Sequence, residues 1–264
     1  MTMMKFRATT LILATATVAM AQTEFGDEDV MQKMCLFYPN ESGHARSDPI
    51  LDTQCPSGHV HTFYGPQKFH PDTSNADLVN TNPAFSSSPW VENQSLYWHP
   101  SIYRQTIEGG QTKNTRVNNL STSPYYRWPA QGTPEFDQLV EFPEGFRMIA
   151  YSDQLNADQG GEVGGNLLVE CCNLNPATEG TEEEEECSAT TGNPIIFPQQ
   201  TCDFVGIAMS MPTCWDESKG IGTNDPFTHV AYTTDGRVNG PCPPGYDKRL
   251  PQVQLFVRIE NYLG

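Results

Sequence analysis

Proline and glycine limit what this chain can fold into, because 21 residues of each are spread along its length. Both residues interrupt helices, and the segments between them rarely place apolar residues at helical spacing. Short runs rich in aromatic and β-branched residues recur instead and predict strands. These runs are residues 59–64, 95–104, 125–128, 145–152, 166–170, 204–211, 227–234 and 251–262.

The last run shows the alternation expected of a strand with one buried face. Its apolar positions are Val253, Leu255, Val257 and Ile259. Many short strands without helices between them predict an all-β fold, specifically a β-sandwich of jelly-roll type. Residues 22–47 and 65–94 lack periodicity and are predicted to be long loops tied down by disulfides.

The first 21 residues have the pattern of a secretory signal peptide. Lys5 and Arg7 precede a short apolar run, which ends at Ala19-Met20-Ala21. An uncleaved anchor is the alternative, although the apolar run is short for a membrane span and no later one is long enough. We therefore expect a secreted protein, extracellular or in the cell wall, with residues 22–264 as a single extracellular β domain.

The eight cysteines are an even number, which in an exported chain predicts up to four disulfides of undetermined pairing. They are Cys35, Cys55, Cys171, Cys172, Cys187, Cys202, Cys214 and Cys242. A zinc site is the competing interpretation, but no pair has C-x2-C spacing.

The formal net charge of −17 argues against nucleic acid as a partner. Residues 175–194 contain an acidic run, Glu182 to Glu186, and are predicted to form a solvated surface loop; a cation-binding patch is the alternative. Three N-x-S sequons predict glycosylation sites at Asn40, Asn93 and Asn119.

Three histidines are candidate metal ligands or acid/base groups. His59 and His61 share one face of an extended segment, and His229 lies in a second strand-like run. Such a set suits zinc or copper with an open coordination position, so these two metals are the candidate cofactors. The alternative is a polar cluster without metal, in which histidines bond carboxylates such as Asp48.

A group of aromatic residues suits a saccharide groove, because sugar rings stack on aromatic faces. The candidate substrate contacts are Tyr97, Trp98, Tyr103 and Tyr126. Ordinary core packing is the alternative for each of them.

Charged residues inside apolar runs are costly to bury unless they are paired. The sequence has four such charged residues: Arg147, Asp216, Arg258 and Glu260. Structural ion pairs explain them in the ordinary case. In a cleft with the three histidines, Arg147 and Asp216 would instead supply catalytic groups of a hydrolase or lyase.

Taken in order, several motifs of the chain resemble the secreted domain-of-unknown-function family nineteen-ninety-six, found in fungi and other eukaryotic microbes. They include Ser57-Gly58-His59-Val60-His61, Leu96-Tyr97-Trp98-His99-Pro100, Tyr125-Tyr126-Arg127, Cys214-Trp215-Asp216 and His229-Val230-Ala231-Tyr232. The resemblance implies an exported protein connected with cell walls, stress and, in some fungi, copper. By this resemblance, the recurrent polar residues of the family correspond here to Asp48, His59, His61, Tyr97, Trp98, Tyr103, Arg147, Asp216 and His229.

Two functions follow as expectations. The first is binding to, or action on, cell-wall or extracellular polysaccharide; the sequence leaves open whether the protein is an enzyme. The second is a non-catalytic role, either binding copper or zinc or as a structural protein of the wall. Serine-hydrolase, nucleotide-binding and zincin motifs are absent from the sequence.

Overall fold

A computed structural model describes residues 31–35, 41–53, 56–67, 86–90, 93–118, 120–150, 166–174, 185–189 and 197–264. Strands dominate these residues, with two short 3-10 turns at Phe136–Gln138 and Glu217–Lys219. The strands are β1 (Met31–Cys35), β2 (Gly43–Ala45), β3 (His61–Tyr64), β4 (Tyr97–Pro100), β5 (Tyr103–Glu108), β6 (Gln111–Arg116), β7 (Leu120–Pro129), β8 (Leu167–Leu174), β9 (Glu185–Ala189), β10 (Cys202–Ser210), β11 (Cys214–Trp215), β12 (Val230–Ala231), β13 (Lys248–Arg249) and β14 (Gln252–Tyr262).

The largest sheet has six antiparallel strands in the order β1-β7-β14-β10-β8-β9. Its centre is β14, whose Val257 lies opposite Thr122 of β7 and Ile207 of β10. The predicted alternation is confirmed, since Val253, Leu255, Val257 and Ile259 are all buried. We call the side of the sheet that carries these four residues the inner face.

A second sheet, β2-β3-β4, packs on this inner face. Tyr64 of β3 accepts a hydrogen bond from Thr122 Oγ1 of β7 at 2.9 Å, and Tyr97 of β4 bonds Tyr126 of β7. Two sheets therefore enclose one core, as in a β-sandwich, and the predicted all-β class is confirmed. The jelly-roll connectivity stays a prediction.

Two smaller units complete the described fold. A three-stranded sheet, β12-β11-β13, is built around the buried residues Trp215, Val230 and Leu250. The hairpin β5-β6 is mostly exposed, and only residues at its base, such as Ile102 and Val117, pack on the main core.

Three disulfides join the described strands and loops: Cys171–Cys202, Cys172–Cys187 and Cys214–Cys242. Successive residues of a strand point to opposite faces, so adjacent Cys171 and Cys172 of β8 reach different partners. The side chain of Cys35 and all of Cys55 lie outside the description. Three disulfides fit an extracellular protein.

Two predicted loops contain three strands. β1 and β2 fall within residues 22–47, and β9 falls within the acidic loop predicted at 175–194. All three lie at sheet edges, where one neighbour supplies the pairing and the strand needs no buried face of its own. Their polar sequences therefore show little periodicity.

Some predicted strands are shorter, divided or missing. Residues 145–150 form no strand although their composition predicted one; residues 151–152 lie outside the description. The apolar side chains of this segment cover a core as a loop instead, with Phe146 at 5.5 Å from the ring of Trp215. The run 95–104 divides into β4 and β5, and 227–234 retains only Val230–Ala231.

Within the described residues, no helix has the length and apolar character needed to cross a bilayer.

Candidate functional site

His61 occupies a buried polar position at the start of β3. It is 3% exposed, and its Nδ1 lies 2.7 Å from the carbonyl oxygen of Ser47. A carbonyl only accepts, so Nδ1 carries the proton and Nε2 of the neutral ring has a free lone pair. Burial lowers the pKa of His61 and His59 adds to this; the Ser47 carbonyl and the Asp48 carboxylate oppose the shift without cancelling it.

Asp48 faces the same ring nitrogen. Its Oδ2 lies 3.9 Å from Nε2 of His61, while its Oδ1 accepts hydrogen bonds from the backbone N–H groups of Ile50 and Leu51 at 3.0 and 2.9 Å. The two backbone bonds hold the carboxylate in place. Asp48 and His61 therefore form a fixed pair, with one nitrogen lone pair and one carboxylate oxygen facing each other.

His59 extends this pair toward solvent. Its side chain is exposed, and its ring centroid lies 4.3 Å from that of His61. The prediction that His59 and His61 lie side by side is therefore confirmed. A row of rings continues inward, with Phe63 at 6.3 Å from His61.

His229 lies elsewhere, in the core of the β12-β11-β13 sheet. It is 0% exposed and packs on Phe146 at a centroid distance of 5.1 Å. A Cβ at Gly222 would come within 2.7 Å of His229 Nε2, so only glycine fits there. Neither ring nitrogen makes a hydrogen bond of good geometry. Burial lowers the pKa of His229, and backbone groups of Arg147 and Asp225 oppose this.

The predicted three-histidine site is therefore wrong. Among the described residues, one set of three donor groups lies close enough together for an ion: Glu170, Cys172 and Cys187. Two of those are joined in a disulfide and offer no thiolate. His229 is a core residue, because its side chain has no exposed surface and packs on Phe146, which in turn packs on Trp215.

Tyr126, predicted to contact substrate, is also a core residue at 8% exposure. Tyr97 Oη donates to Tyr126 Oη at 2.5 Å, since Tyr126 Oη itself donates to Asn93 Oδ1 at 3.1 Å. Burial raises the pKa of Tyr126 to about 12. The Tyr97-Tyr126-Asn93 chain stabilises the contact between the two sheets, and Tyr126 is too deeply buried to contact a substrate.

The sequon at Asn93 does not fit glycosylation in the folded protein. Asn93 is 0% exposed and its amide oxygen is already bonded to Tyr126. A glycan on the amide nitrogen would need space that a fully buried side chain does not have, so the position of Asn93 argues against use of this sequon. Asn40 and Asn119 lie outside the described residues.

The other predicted aromatic contacts differ in accessibility. Tyr103 begins the exposed hairpin and is 44% exposed. It lies opposite Arg116, whose guanidinium bonds both carboxylate oxygens of Glu41 at 2.9 and 3.0 Å. Trp98 is half-buried and stacks on Phe63 at 6.4 Å. Tyr103 and Trp98 remain candidates for ligand contact.

The contacts that the structure gives for Arg147 and Asp216 are structural. The backbone N–H of Arg147 bonds Ile221 and helps to fix the loop over His229. Asp216 caps the turn Glu217–Lys219: Ser218 donates to its Oδ1, and Lys219 lies 3.2 Å from its Oδ2. Ser218 first, and then Lys219, lower the pKa of Asp216. Because His229 is buried in the core, the catalytic role of Arg147 and Asp216 in a cleft with the histidines stays a prediction.

A second polar region lies on the side of the six-stranded sheet opposite the inner face; we call it the polar face. Its residues are Ser123, Tyr125 and Arg127 of β7, Gln252, Gln254, Phe256 and Arg258 of β14, and Ser210 of β10. Five of these eight, namely Tyr125, Arg127, Gln254, Phe256 and Arg258, are half-buried and keep part of their surface in solvent. The region brings amide, guanidinium, hydroxyl and aromatic groups together on one sheet.

Side-chain hydrogen bonds order the polar face. Arg127 Nη2 donates to Gln252 Oε1 at 2.6 Å, and Gln254 Nε2 donates to Ser210 Oγ at 3.1 Å. Burial lowers the pKa of Arg127, and the neighbouring Tyr125 opposes this.

The aromatic and charged ends of the face are equally fixed. Arg258 lies 3.5 Å above the ring of Phe204 and 2.7 Å from a carboxylate oxygen of Glu260. Phe256 lies across Gly206, where a Cβ would come within 2.8 Å of the Phe256 ring. The expectation that Arg258 and Glu260 pair is confirmed.

None of the polar-face residues is among the predicted site residues, although a signal for this face is present in the sequence. The alternation that predicted a buried stripe on β14 places Gln252, Gln254, Phe256 and Arg258 together on the other side. In Tyr125-Tyr126-Arg127 the same rule sends Tyr126 inward and its two neighbours outward. Tyr125 and Arg127, rather than the predicted Tyr126, therefore lie on the outer side of the sheet.

The fold and these two polar regions define a nearly all-β, disulfide-linked protein in which two sheets enclose the core. A family model described as "Domain of unknown function (DUF1996)" matches residues 48–261, most of the chain. This chain therefore belongs to that family. No curated protein and no solved structure matched the chain.

Proposed function

We propose that this chain is a secreted protein that binds polysaccharide of a cell wall or extracellular matrix through its polar face. The observation that carries the proposal is the pre-ordered set of Arg127-Gln252 and Gln254-Ser210 hydrogen bonds beside Tyr125 and Phe256. The three disulfides support the extracellular part of the proposal.

The chemistry of the face suits a sugar. Amides and guanidinium groups bond hydroxyls through several donors and acceptors at once, while aromatic rings pack against the C–H faces of pyranoses. Because these side chains already hold each other in place, little side-chain entropy is lost when a ligand binds. A sheet spaces such groups regularly in two directions, which matches an extended polymer.

The test is binding of the intact, disulfide-bonded protein to a panel of soluble neutral glucans, xylans and polyuronates. Gln254→Ala removes one donor from the face, and we expect about tenfold weaker binding to the glycan that the wild type recognises. Gln105→Ala is the matched control, because Gln105 also donates a side-chain hydrogen bond but lies on the hairpin. Product analysis of the same mixtures decides whether the bound glycan is also cleaved.

The outcomes separate clearly. Wild-type protein that binds none of the panel would refute the proposal. If Gln254→Ala and Gln105→Ala weaken glycan binding equally, the polar face has no special role in binding.

A second candidate function is divalent metal binding by His61 and Asp48, completed by His59. The Nδ1 bond of His61 to a backbone carbonyl favours it, because metal-binding histidines ordinarily donate their second nitrogen in this way. His229 takes no part. The exposed His59 ring needs to turn for its nitrogen to join the other two donors, so the site forms only as the metal binds.

Metal content of protein purified without a nickel column tests this candidate. We expect one equivalent of copper or zinc in the wild type, and its loss in His61→Ala. His44→Ala is the control, since that side chain is 48% exposed and 3.8 Å from Glu41. Metal-free wild-type protein that takes up neither ion by calorimetry excludes the site.

A further inference from the structure

The β5-β6 hairpin is a mostly exposed two-stranded ribbon. Its strands are joined by Gly109 and Gly110, whose φ angles of 58° and 78° are those of a tight two-residue hairpin turn. Five of the six residues of each strand are exposed. Among the residues that the structure describes, β6 is the one strand paired with β5, so each strand has an outer edge that pairs with no described strand.

The large apolar side chains of the hairpin belong to β5. Ile107 is 79% exposed and Tyr103 is 44% exposed, and an even spacing along the strand puts both on one face. β6 contains no large apolar residue. Contact of these two side chains with water is unfavourable, so a partner that covers β5 would gain free energy.

The hydrogen-bond pattern shows which backbone groups of β5 face its outer edge. The Val117 N–H donates to the Ile102 carbonyl at 2.9 Å, and this pair continues the ladder of the hairpin at its base. In an antiparallel ladder every second pair exchanges hydrogen bonds, so the even-numbered residues of β5 bond β6. The N–H and carbonyl groups of Tyr103, Gln105 and Ile107 therefore point outward.

The charges of β5 are complementary to a second copy of the same strand. Arg104 lies two residues before Thr106, and Glu108 lies two residues after it. If two β5 strands pair antiparallel about Thr106, each Arg104 lies opposite Glu108 of the other copy, at pairs where side chains approach most closely. In the same register Gln105 lies opposite Ile107, so outward backbone groups meet each other.

The outer edge of β6 lacks this complementarity. Its charged residues, Lys113 and Arg116, are both basic, so two β6 strands would repel each other. Lys113 Nζ also lies 3.3 Å from a carboxylate oxygen of Glu108 within the hairpin. Both side chains of that ion pair are more than half exposed, at 58% and 63%, so the Glu108 carboxylate stays accessible to an arginine of another copy.

We propose that this chain self-associates through β5 as a two-fold symmetric dimer, in which two hairpins form one four-stranded antiparallel sheet. In this dimer Ile107 lies diagonally opposite Tyr103 and Ile107 of the second copy, on the same face of the sheet, so the exposed apolar side chains cover each other. Pairing of two six-residue strands makes a small interface, and we expect weak, reversible association. The inference is independent of polysaccharide binding.

The test is sedimentation velocity of the intact, disulfide-bonded protein over a wide range of concentration, where we expect a monomer–dimer equilibrium. Arg104→Glu places acidic residues opposite each other, so the dissociation constant of the dimer should rise by about tenfold or more. Glu108→Arg should have the same effect through opposed basic residues. Arg237→Glu is the matched control, because it makes the same change of net charge at a 66% exposed side chain of another loop.

An exchange of the two charges tests the register. The double variant Arg104→Glu/Glu108→Arg restores opposite charges and should dimerise like the wild type. The two single variants, each weakened alone, should form a mixed dimer when combined, because both of its charge pairs are then of opposite sign.

Three results would overturn the inference. Wild-type protein that stays monomeric at every concentration shows that β5 does not pair with itself. Single reversals that dimerise as strongly as Arg237→Glu place the contact elsewhere on the molecule. A double variant and a mixture that both stay monomeric show that Arg104 and Glu108 do not face each other across the interface.

Discussion

Arg249 is a buried cation that the described residues bond through carbonyls rather than through a carboxylate. It is 1% exposed, and it donates to the carbonyl of Val238 from Nη1 at 2.8 Å and to that of Gly240 from Nη2 at 2.6 Å. Burial lowers the pKa of Arg249. Its planar guanidinium bonds these two carbonyls of one loop at once, and the Cys214–Cys242 disulfide attaches the same loop two residues after Gly240.

We expect Arg249→Met to destabilise the protein by about 3 kcal/mol, because two buried carbonyls lose their donors. Arg249→Lys should recover only part of this, since an ammonium lacks the planar guanidinium geometry. Arg237→Ala is the control in the same loop: its side chain is 66% exposed, and its ion pair with Asp235 contributes little. Urea unfolding of the three variants measures the differences; equal effects for Arg249→Met and Arg237→Ala would contradict this account.

At the scale of strands, the sequence predicts best those elements that bury one face. β14 and β10 lie at the centre of the large sheet, and their apolar patterns were sufficient to place them. Edge strands β1 and β9 were missed because pairing with one neighbour, not a buried stripe, holds them. Residues 145–150 are wrongly predicted as a strand, because an apolar segment can also cover a core as a loop.

In the candidate site, too, the sequence predicts local geometry but not the contacts between distant parts of the chain. The H-x-H spacing is enough to place His59 beside His61, because alternate residues of an extended segment lie on the same face. The position of His229 depends on how two sheets are arranged, and no local pattern contains that information. The hydrogen bonds that join Ser42, Gly65 and Ser87 are equally non-local, because these residues approach one another only in the folded chain.

For the whole molecule, three described histidines lie in the interior. His61 and His99 are each 3% exposed and His229 is 0% exposed, and burial lowers the pKa of all three. His99 belongs to a neutral network between the two sheets: its Nδ1 donates to the Pro100 carbonyl at 2.8 Å, and Tyr64 Oη lies 3.2 Å from its Nε2. Burial raises the pKa of Tyr64 to about 12, which keeps its proton available to His99.

These histidines predict loss of stability in mild acid. The unfolded chain binds protons at histidine near the ordinary pKa of about 6.5, whereas the folded chain binds them only at lower pH. Between those values the unfolded state holds more protons, so stability is complete above about pH 6.5 and falls with decreasing pH by up to roughly 1.4 kcal/mol per pH unit for each buried histidine. Asp216 and Asp225, whose pKa values are lowered, lose their contribution only at more acid pH, below their ordinary range.

Urea unfolding from pH 7.5 to 5 measures the slope, which His99→Gln should reduce and the exposed variant His44→Gln should leave unchanged. A wild-type protein equally stable at pH 7.5 and pH 5 would show that its interior accepts protonated imidazoles, contrary to the buried positions of these rings.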